Sequence, residues 1–174
     1  MRKNKTEIAA DLKEAFETVT SYCKDMDSDV YFRSQESKWN IAENIHHLIL
    51  STVPLSKAMY YPKLVIRLVA GKGSGSSMEY EALTGAYQSK LDQGGVATGD
   101  YVPKGRKKFN QEQSLKKLSS EGQKLVHSLD RWTEEQLDNY RLPHPLLGKI
   151  TVREMLYFTI YHTHHHLSAI KNIS

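Results

Sequence analysis

Thr151-Val152-Arg153-Glu154-Met155-Leu156-Tyr157-Phe158-Thr159-Ile160-Tyr161-His162-Thr163-His164-His165-His166-Leu167-Ser168-Ala169-Ile170 decides the reading of this chain. Thr151 and Glu154 form a capping-box pair, which opens a helix predicted to run from 151 to 172. The expected inward seam is Met155, Thr159, His162, His166, Ala169 or Ile170, and Ile173. At about 100° per residue, His162 and His166 stand only about 40° apart and share a face. His164 projects about 160° from His166, toward solvent, and His165 lies on the flank about 60° from His162.

A second signal lies upstream in Trp39-Asn40-Ile41-Ala42-Glu43-Asn44-Ile45-His46-His47-Leu48. Asn40 caps a helix with Glu43 at its third position. Ile41, Ile45, Leu48 and Thr52 make its apolar stripe, with His47 at the edge. Pro54 and Pro62 are expected to bend or interrupt it. Leu64, Val65, Ile66, Leu68 and Val69 carry an apolar pattern further on.

Two more long helices complete the pattern. Residues 5–27 repeat Ile8, Leu12, Ala15, Val19, Tyr22 and Met26, with Phe16 and Cys23 flanking. Residues 110–129 turn Leu115, Leu118, Leu125 and Leu129 inward. Residues 78–92 read as a weak helix and Thr133 starts a short one. Segment 28–38 is polar and turn-like, and Gly71 to Ser77 is a flexible linker by composition. Residues 93–105 form a long loop of the kind that often makes the mouth of a site. Arg141 to Pro145 is extended because of its prolines, and Gly148 marks a turn. No strand-like alternation persists. The expected fold is all-α, an antiparallel four-helix bundle in one domain spanning 1–174, with a long loop between the second and third main helices.

The bulk properties exclude several functions. Of 174 residues, 39 % are hydrophobic and 25 % charged, an ordinary soluble balance. No apolar run approaches the roughly 20 residues of a membrane span, and no signal peptide is read at the start. One cysteine, Cys23, permits no intrachain disulfide, and its place beside an apolar face reads as packing. A cytoplasmic setting is expected. The net charge is +4 and the pI about 9.0. The dense basic run is Lys104-Gly105-Arg106-Lys107-Lys108, beside Phe109. No reading helix accompanies it, so a solvated loop is expected and no nucleic-acid partner.

The histidines carry the chemistry. Two imidazoles at i and i+4, plus a third from a neighbouring helix, can hold a divalent metal and leave a coordination position open. Burying such a pair without partners is costly, which separates it from a lone core histidine. Spacing alone does not identify His47 as the third ligand.

The segments together resemble the DinB-like family of metal-dependent four-helix bundles, related to the bacillithiol- and mycothiol-dependent transferases. Trp39 through Leu48 is similar to the family's tryptophan, cap, apolar pair, glutamate and His-Leu. His144-Pro145, Gly148, Thr151, Glu154 and His162 through His166-Leu167 are similar to its His-Pro, Gly, Thr-x-x-Glu and His-x-x-x-His-Leu order. The resemblance covers Trp39 to Ile170 and places the three metal ligands on His47, His162 and His166. Many members carry a glutamine before the isoleucine that follows the last ligand; here Ala169 stands there.

Imidazole donors suit zinc first, then nickel or iron, and disfavour magnesium and calcium. Such a centre would serve hydrolysis or thiol (S-) transfer, the latter with a low-molecular-weight thiol as cosubstrate. The competing expectation is a non-catalytic metal-binding or structural bundle. No catalytic base is assigned. Glu43 serves as base or as capping-box residue; Tyr157, Tyr161 and His165 are candidates by proximity alone. A homodimer is expected, and a small-molecule substrate.

Overall fold

A computed structural model describes residues 2–36, 38–73, 75–104 and 110–173. In chain order the elements are α1 (Lys5–Lys24), α2 (Ser28–Phe32), α3 (Ile41–Ala58), α4 (Lys63–Ala70), α5 (Tyr80–Asp92), α6 (Gln111–Ser128), α7 (Glu134–Asn139), β1 (Arg141–His144), β2 (Gly148–Thr151) and α8 (Val152–Lys171). The fold is all-α with one small hairpin. The four long helices α1, α3, α6 and α8 coincide with the four predicted ones to within a few residues.

Local chemistry explains the starts. Asn4 with Glu7, Asn40 with Glu43, Thr133 with Gln136 and Thr151 with Glu154 all form reciprocal capping boxes. Each satisfies backbone N–H groups that the first helical turn cannot. Helix α1 ends at Lys24, short of Met26, and its last inward position is Cys23, not Tyr22. Residues predicted to be turn-like include α2, capped by Asp27.

Helix α3 runs through Pro54 without interruption. The turns on both sides of the proline are held by buried Thr52, Leu55 and Ser56. The Ser56 hydroxyl donates to Glu121 on α6, which also accepts from Lys117 (2.8 Å) and Lys124 (2.9 Å). Burial alone would raise the Glu121 carboxyl, but these donors pull it down to about 2. Tertiary anchoring thus outweighs the local proline penalty.

Helix α8 is the central element. It packs against α1, α3, α5 and α7. Every residue from Val152 to Ile160 is therefore buried, which the single predicted seam did not foresee. Farther along, Ile170 faces in and Ala169 is half-buried.

Other segments depart from expectation. Between α3 and α6, α4 is the element the sequence reading did not assign, whereas α5 falls on the weak helix expected at 78–92 and the loop follows it as expected. In α4 only Ile66 and Ala70 are buried; Leu64, Val65, Leu68 and Val69 face outward. The described part of the glycine-rich linker is pinned. Gly73 N–H donates to Asn139 O at 2.6 Å, and the Ser77 hydroxyl donates to Asp138. A Cβ on Gly73 would meet Asp138 O at 2.9 Å, so glycine permits that approach. Strands β1 and β2 pair antiparallel, with His144 opposite Gly148, whose φ of +72° closes the turn. Of the basic run, residues 105–108, with Phe109, lie outside the described residues.

Gly122 sets the distance between α1 and α6. A Cβ there would stand 2.6 Å from the Phe16 ring. Gly122→Ala gains helix propensity but overpacks the core, for a net loss of about 1–2 kcal/mol. The urea midpoint should fall; an unchanged midpoint would show that Phe16 moves aside freely.

Candidate metal centre

The capping box at Asn40 starts α3 so that Asn44 and His47 share the face turned to α8. From α8, His162 and His166 meet them. All three histidines are buried. His162 Nε2 lies 3.0 Å from His47 Nε2 and 3.1 Å from His166 Nε2. One ligand atom from each falls within 4.8 Å of the others.

The far ring nitrogens explain why these atoms converge. His47 Nδ1–H donates to the Tyr101 carbonyl at 2.7 Å, and His166 Nδ1–H donates to Asn44 Oδ1 at 2.7 Å. Asn44 is oriented by its own Nδ2, which donates to the carbonyls of Asn40 (2.8 Å) and Trp39 (3.2 Å). With Nδ1 protonated, the Nε2 lone pairs of His47 and His166 are free. Lone pairs crowded at this distance repel unless a proton or cation lies among them. The donor set fits a divalent cation, and the Tyr101 carbonyl and Asn44 fix the rings of His47 and His166.

Electrostatics keep the imidazoles neutral. Burial lowers His47 most, opposed by its bond to the Tyr101 carbonyl. Burial, then the neighbouring His166 and His47, holds His162 well below the usual imidazole range. His166 is lowered in the same way, by burial and then His47 and His165. The apo protein therefore binds fewer protons folded than unfolded below about pH 6.5. Its stability is present above that pH and falls as pH drops through the folded values. Protons compete with a metal for free imidazole below about pH 6.5; here metal loss is expected lower, because the folded histidines resist protonation. Metal occupancy should be nearly equal at about pH 7.5 and about pH 6; half-loss at pH 6.5 or above would contradict this. Dialysis followed by metal analysis measures it.

Beside the cluster lies a cavity of about 760 Å³. Trp39, Asn44 and the three histidines form one wall. The Trp39 ring packs on His47 at 4.7 Å and on His166 at 6.0 Å. Tyr87 of α5, Phe158 of α8 and Leu142 to Leu146 of the hairpin form another. Residues 95–98 and Tyr101 come from the predicted mouth loop. Exposed Lys38, Val96 and His165 bring the cavity to the surface.

The other sequence candidates separate clearly. His164 is exposed and His46 half-buried. His165 lines the cavity, 5.3 Å from the His166 ring. Glu43 Oε2 accepts the Asn40 N–H at 2.9 Å, the capping role. Neither tyrosine is among the cavity-lining residues: Tyr157 contacts Lys3, and the Tyr161 hydroxyl accepts from Gln88 at 3.0 Å. Cys23 is fully buried, with its thiol pushed up to about 12 by burial, so it is a packing residue. Sequence reasoning gave no role to Asn44 or Tyr101, and met His144 only within the His-Pro element of the resemblance. Asn44 was legible, one turn before His47 and on its face. Tyr101 contributes only a carbonyl, which leaves no side-chain signal.

The model of the DinB superfamily matches residues 11–170. The chain belongs to the DinB superfamily. No curated protein and no solved structure matches it. The match takes in all the residues of the cluster and of the cavity wall except Asn172 and Ile173. Within this superfamily member, Ala169 lines the cavity at the position where the resembling pattern has glutamine.

Proposed function

We propose that this DinB superfamily member is a metal-dependent enzyme in which His47, His162 and His166 hold a divalent cation beside a substrate cavity. The observation that carries the reading is the convergence of three neutral imidazole Nε2 atoms on the wall of a cavity of about 760 Å³. A purely structural site would be closed by side chains. A cation on neutral ligands keeps its full charge and supplies Lewis acidity, which lowers the pKa of a bound water to about 7 or stabilises a thiolate.

Of the two chemistries, thiol transfer fits the cavity better. No carboxylate lines it among the described residues, so a conventional carboxylate base for water is missing. A thiol needs less assistance, since its proton leaves near neutral pH. His165, at the cavity edge, is the residue placed to receive that proton. Asn44 and the Tyr101 carbonyl hold the ligand rings, and Trp39 shields them from water. Zinc is proposed first, nickel or iron next. The protein is proposed to act as one domain in the cytoplasm.

Metal analysis of untagged protein tests the centre, followed by S-transfer assays with several low-molecular-weight thiols and an ester-hydrolysis control. Absence of stoichiometric metal would defeat the whole reading; hydrolysis without S-transfer would replace its second half.

A weak homodimer is proposed through α4. Leu64, Val65, Leu68 and Val69 expose 66, 41, 78 and 70 % of their surface on one outward face. Two such faces together would cover on the order of 1,000 Å², the low end of specific interfaces. Light scattering at micromolar concentration should show dimer, and Leu68→Glu should return it to monomer. A wild-type monomer would remove the proposal.

A further inference from the structure

His144 closes β1 and carries a hydrogen-bond arrangement that the metal centre does not use. Its Nδ1 accepts the backbone N–H groups of Leu146 (3.2 Å) and Leu147 (3.1 Å) in the hairpin turn. A nitrogen that accepts two N–H bonds carries no proton. The neutral ring therefore has its proton on Nε2. Nε2 has no partner among the described residues, yet it is not a sealed orphan. Among the described residues, the buried polar side-chain atoms left unsatisfied are Tyr31 Oη and Arg141 Nε. His144 itself lines the cavity, so the cavity is what Nε2–H meets.

The surroundings define what it can bind. The Phe158 ring stands edge-on to His144 at 4.2 Å, and Tyr87 edge-on at 6.0 Å. Phe158 in turn stacks on His162 at 4.8 Å. Those two ring-to-ring steps set the furthest His144 can lie from the metal-ligand ring, about the length of a small aromatic molecule. Leu142, Pro143 and Leu146 complete an apolar wall. Burial pushes the His144 imidazolium down to about 4, so near neutral pH the ring is a neutral donor and not a base. An anion placed against these walls would need a buried cation; a neutral oxygen needs only one donor.

We propose that His144 Nε2–H forms a binding subsite for a neutral oxygen acceptor, a carbonyl or epoxide oxygen, on an apolar aromatic substrate of this cavity. The proposal rests on the preceding reading only in taking the cavity as a substrate site. The aromatic ring of such a ligand would lie against Phe158, Tyr87 and Leu142, with its oxygen on His144.

Two substitutions separate this from a role in the turn. In His144→Asn, the amide oxygen can replace Nδ1 as acceptor for the turn, but no donor reaches the cavity. In His144→Gln, the amide nitrogen can replace Nε2–H, but the turn loses its acceptor. The probes are acetophenone and ethylbenzene, matched in shape and differing in the carbonyl. Binding to the metal-loaded protein is followed by NMR titration and by Trp39-dependent fluorescence. Wild type should prefer acetophenone by about three- to ten-fold, the effect of one neutral hydrogen bond. The preference should vanish in His144→Asn with metal content and thermal midpoint retained. It should persist in His144→Gln even as the midpoint falls. Long-range ¹H–¹⁵N correlation should find the His144 proton on Nε2. A proton on Nδ1, equal binding of the two probes, or a preference surviving in His144→Asn would overturn the subsite. Failure of S-transfer with the binding preference intact would count against the catalytic reading alone.

Discussion

Replacing His162 or His166 with alanine is expected to abolish stoichiometric metal, while His164→Ala leaves it intact. His162 Nε2 is the middle atom of the cluster, 3.0 and 3.1 Å from its two neighbours. Losing it removes one of three donors and leaves two that can bind only as a pair, so affinity should fall by more than about 100-fold. His166 supplies a second donor and is the ring that Asn44 orients. Asn44→Ala should be milder, about 10- to 100-fold, because the imidazole remains but swings freely. His164 lies within the same run and is exposed on the opposite side. The ordering of the variants is the test, read by metal analysis and by competition with a chelator. Metal loss in His164→Ala with retention in His166→Ala would show that the helical phase and the ligand set are both wrong.

Arg153→Ala is expected to cost about 3–5 kcal/mol of folding stability, the largest effect of any substitution away from the cluster. Its side chain is fully buried. Nε donates to Asp138 Oδ1 at 2.6 Å, Nη2 to Glu134 at 2.7 Å, and Nη1 to the Lys3 carbonyl at 2.8 Å. It thus ties α8 to α7 and to the segment before α1. Burial alone would raise the Asp138 carboxyl; Arg153 and the Ser77 hydroxyl hold it below the usual range. Removing Arg153 leaves that buried carboxylate with Ser77 and the half-exposed Arg2. The stabilisation is present above the unfolded carboxylate value and is lost as pH falls through the depressed folded value. Urea unfolding at neutral pH measures the cost. The double variant Arg153→Ala, Asp138→Ala should lose less than the two single losses added, because the stranded charge is gone. A single-variant loss below about 1 kcal/mol would mean that water or Arg2 replaces Arg153 readily.

Local signals determined much of this protein. The boxes Asn40-Glu43 and Thr151-Glu154, with apolar residues at three and four spacing, placed α3 and α8 to within a residue or two. A capping bond involves neighbours in sequence, so its reading needs no tertiary knowledge. The same periodicity put His162 and His166 on one face and His164 on the other. Periodicity could not say that α8 is surrounded, so the burial of Val152 to Ile160 on every side was not foreseen. Nor could it see that α4 turns Leu64 and Leu68 outward, since an apolar stripe names a face without naming its neighbour.

The site divides along the same line. His162 and His166 are one turn apart and were legible as a pair. His47 entered only through a family resemblance, because 115 residues separate it from His162. Its convergence depends on how α3 crosses α8, which packing decides. The Tyr101 carbonyl that fixes the His47 ring is backbone, and any residue type offers it. His144 looked like part of an extended Pro-flanked segment. Its fixed tautomer exists only because the hairpin returns two N–H groups to Nδ1 while Phe158 and Tyr87 close around the ring. Sequence carries periodicity and caps because they act within a few residues; a cavity is made by several elements at once and has no local signature.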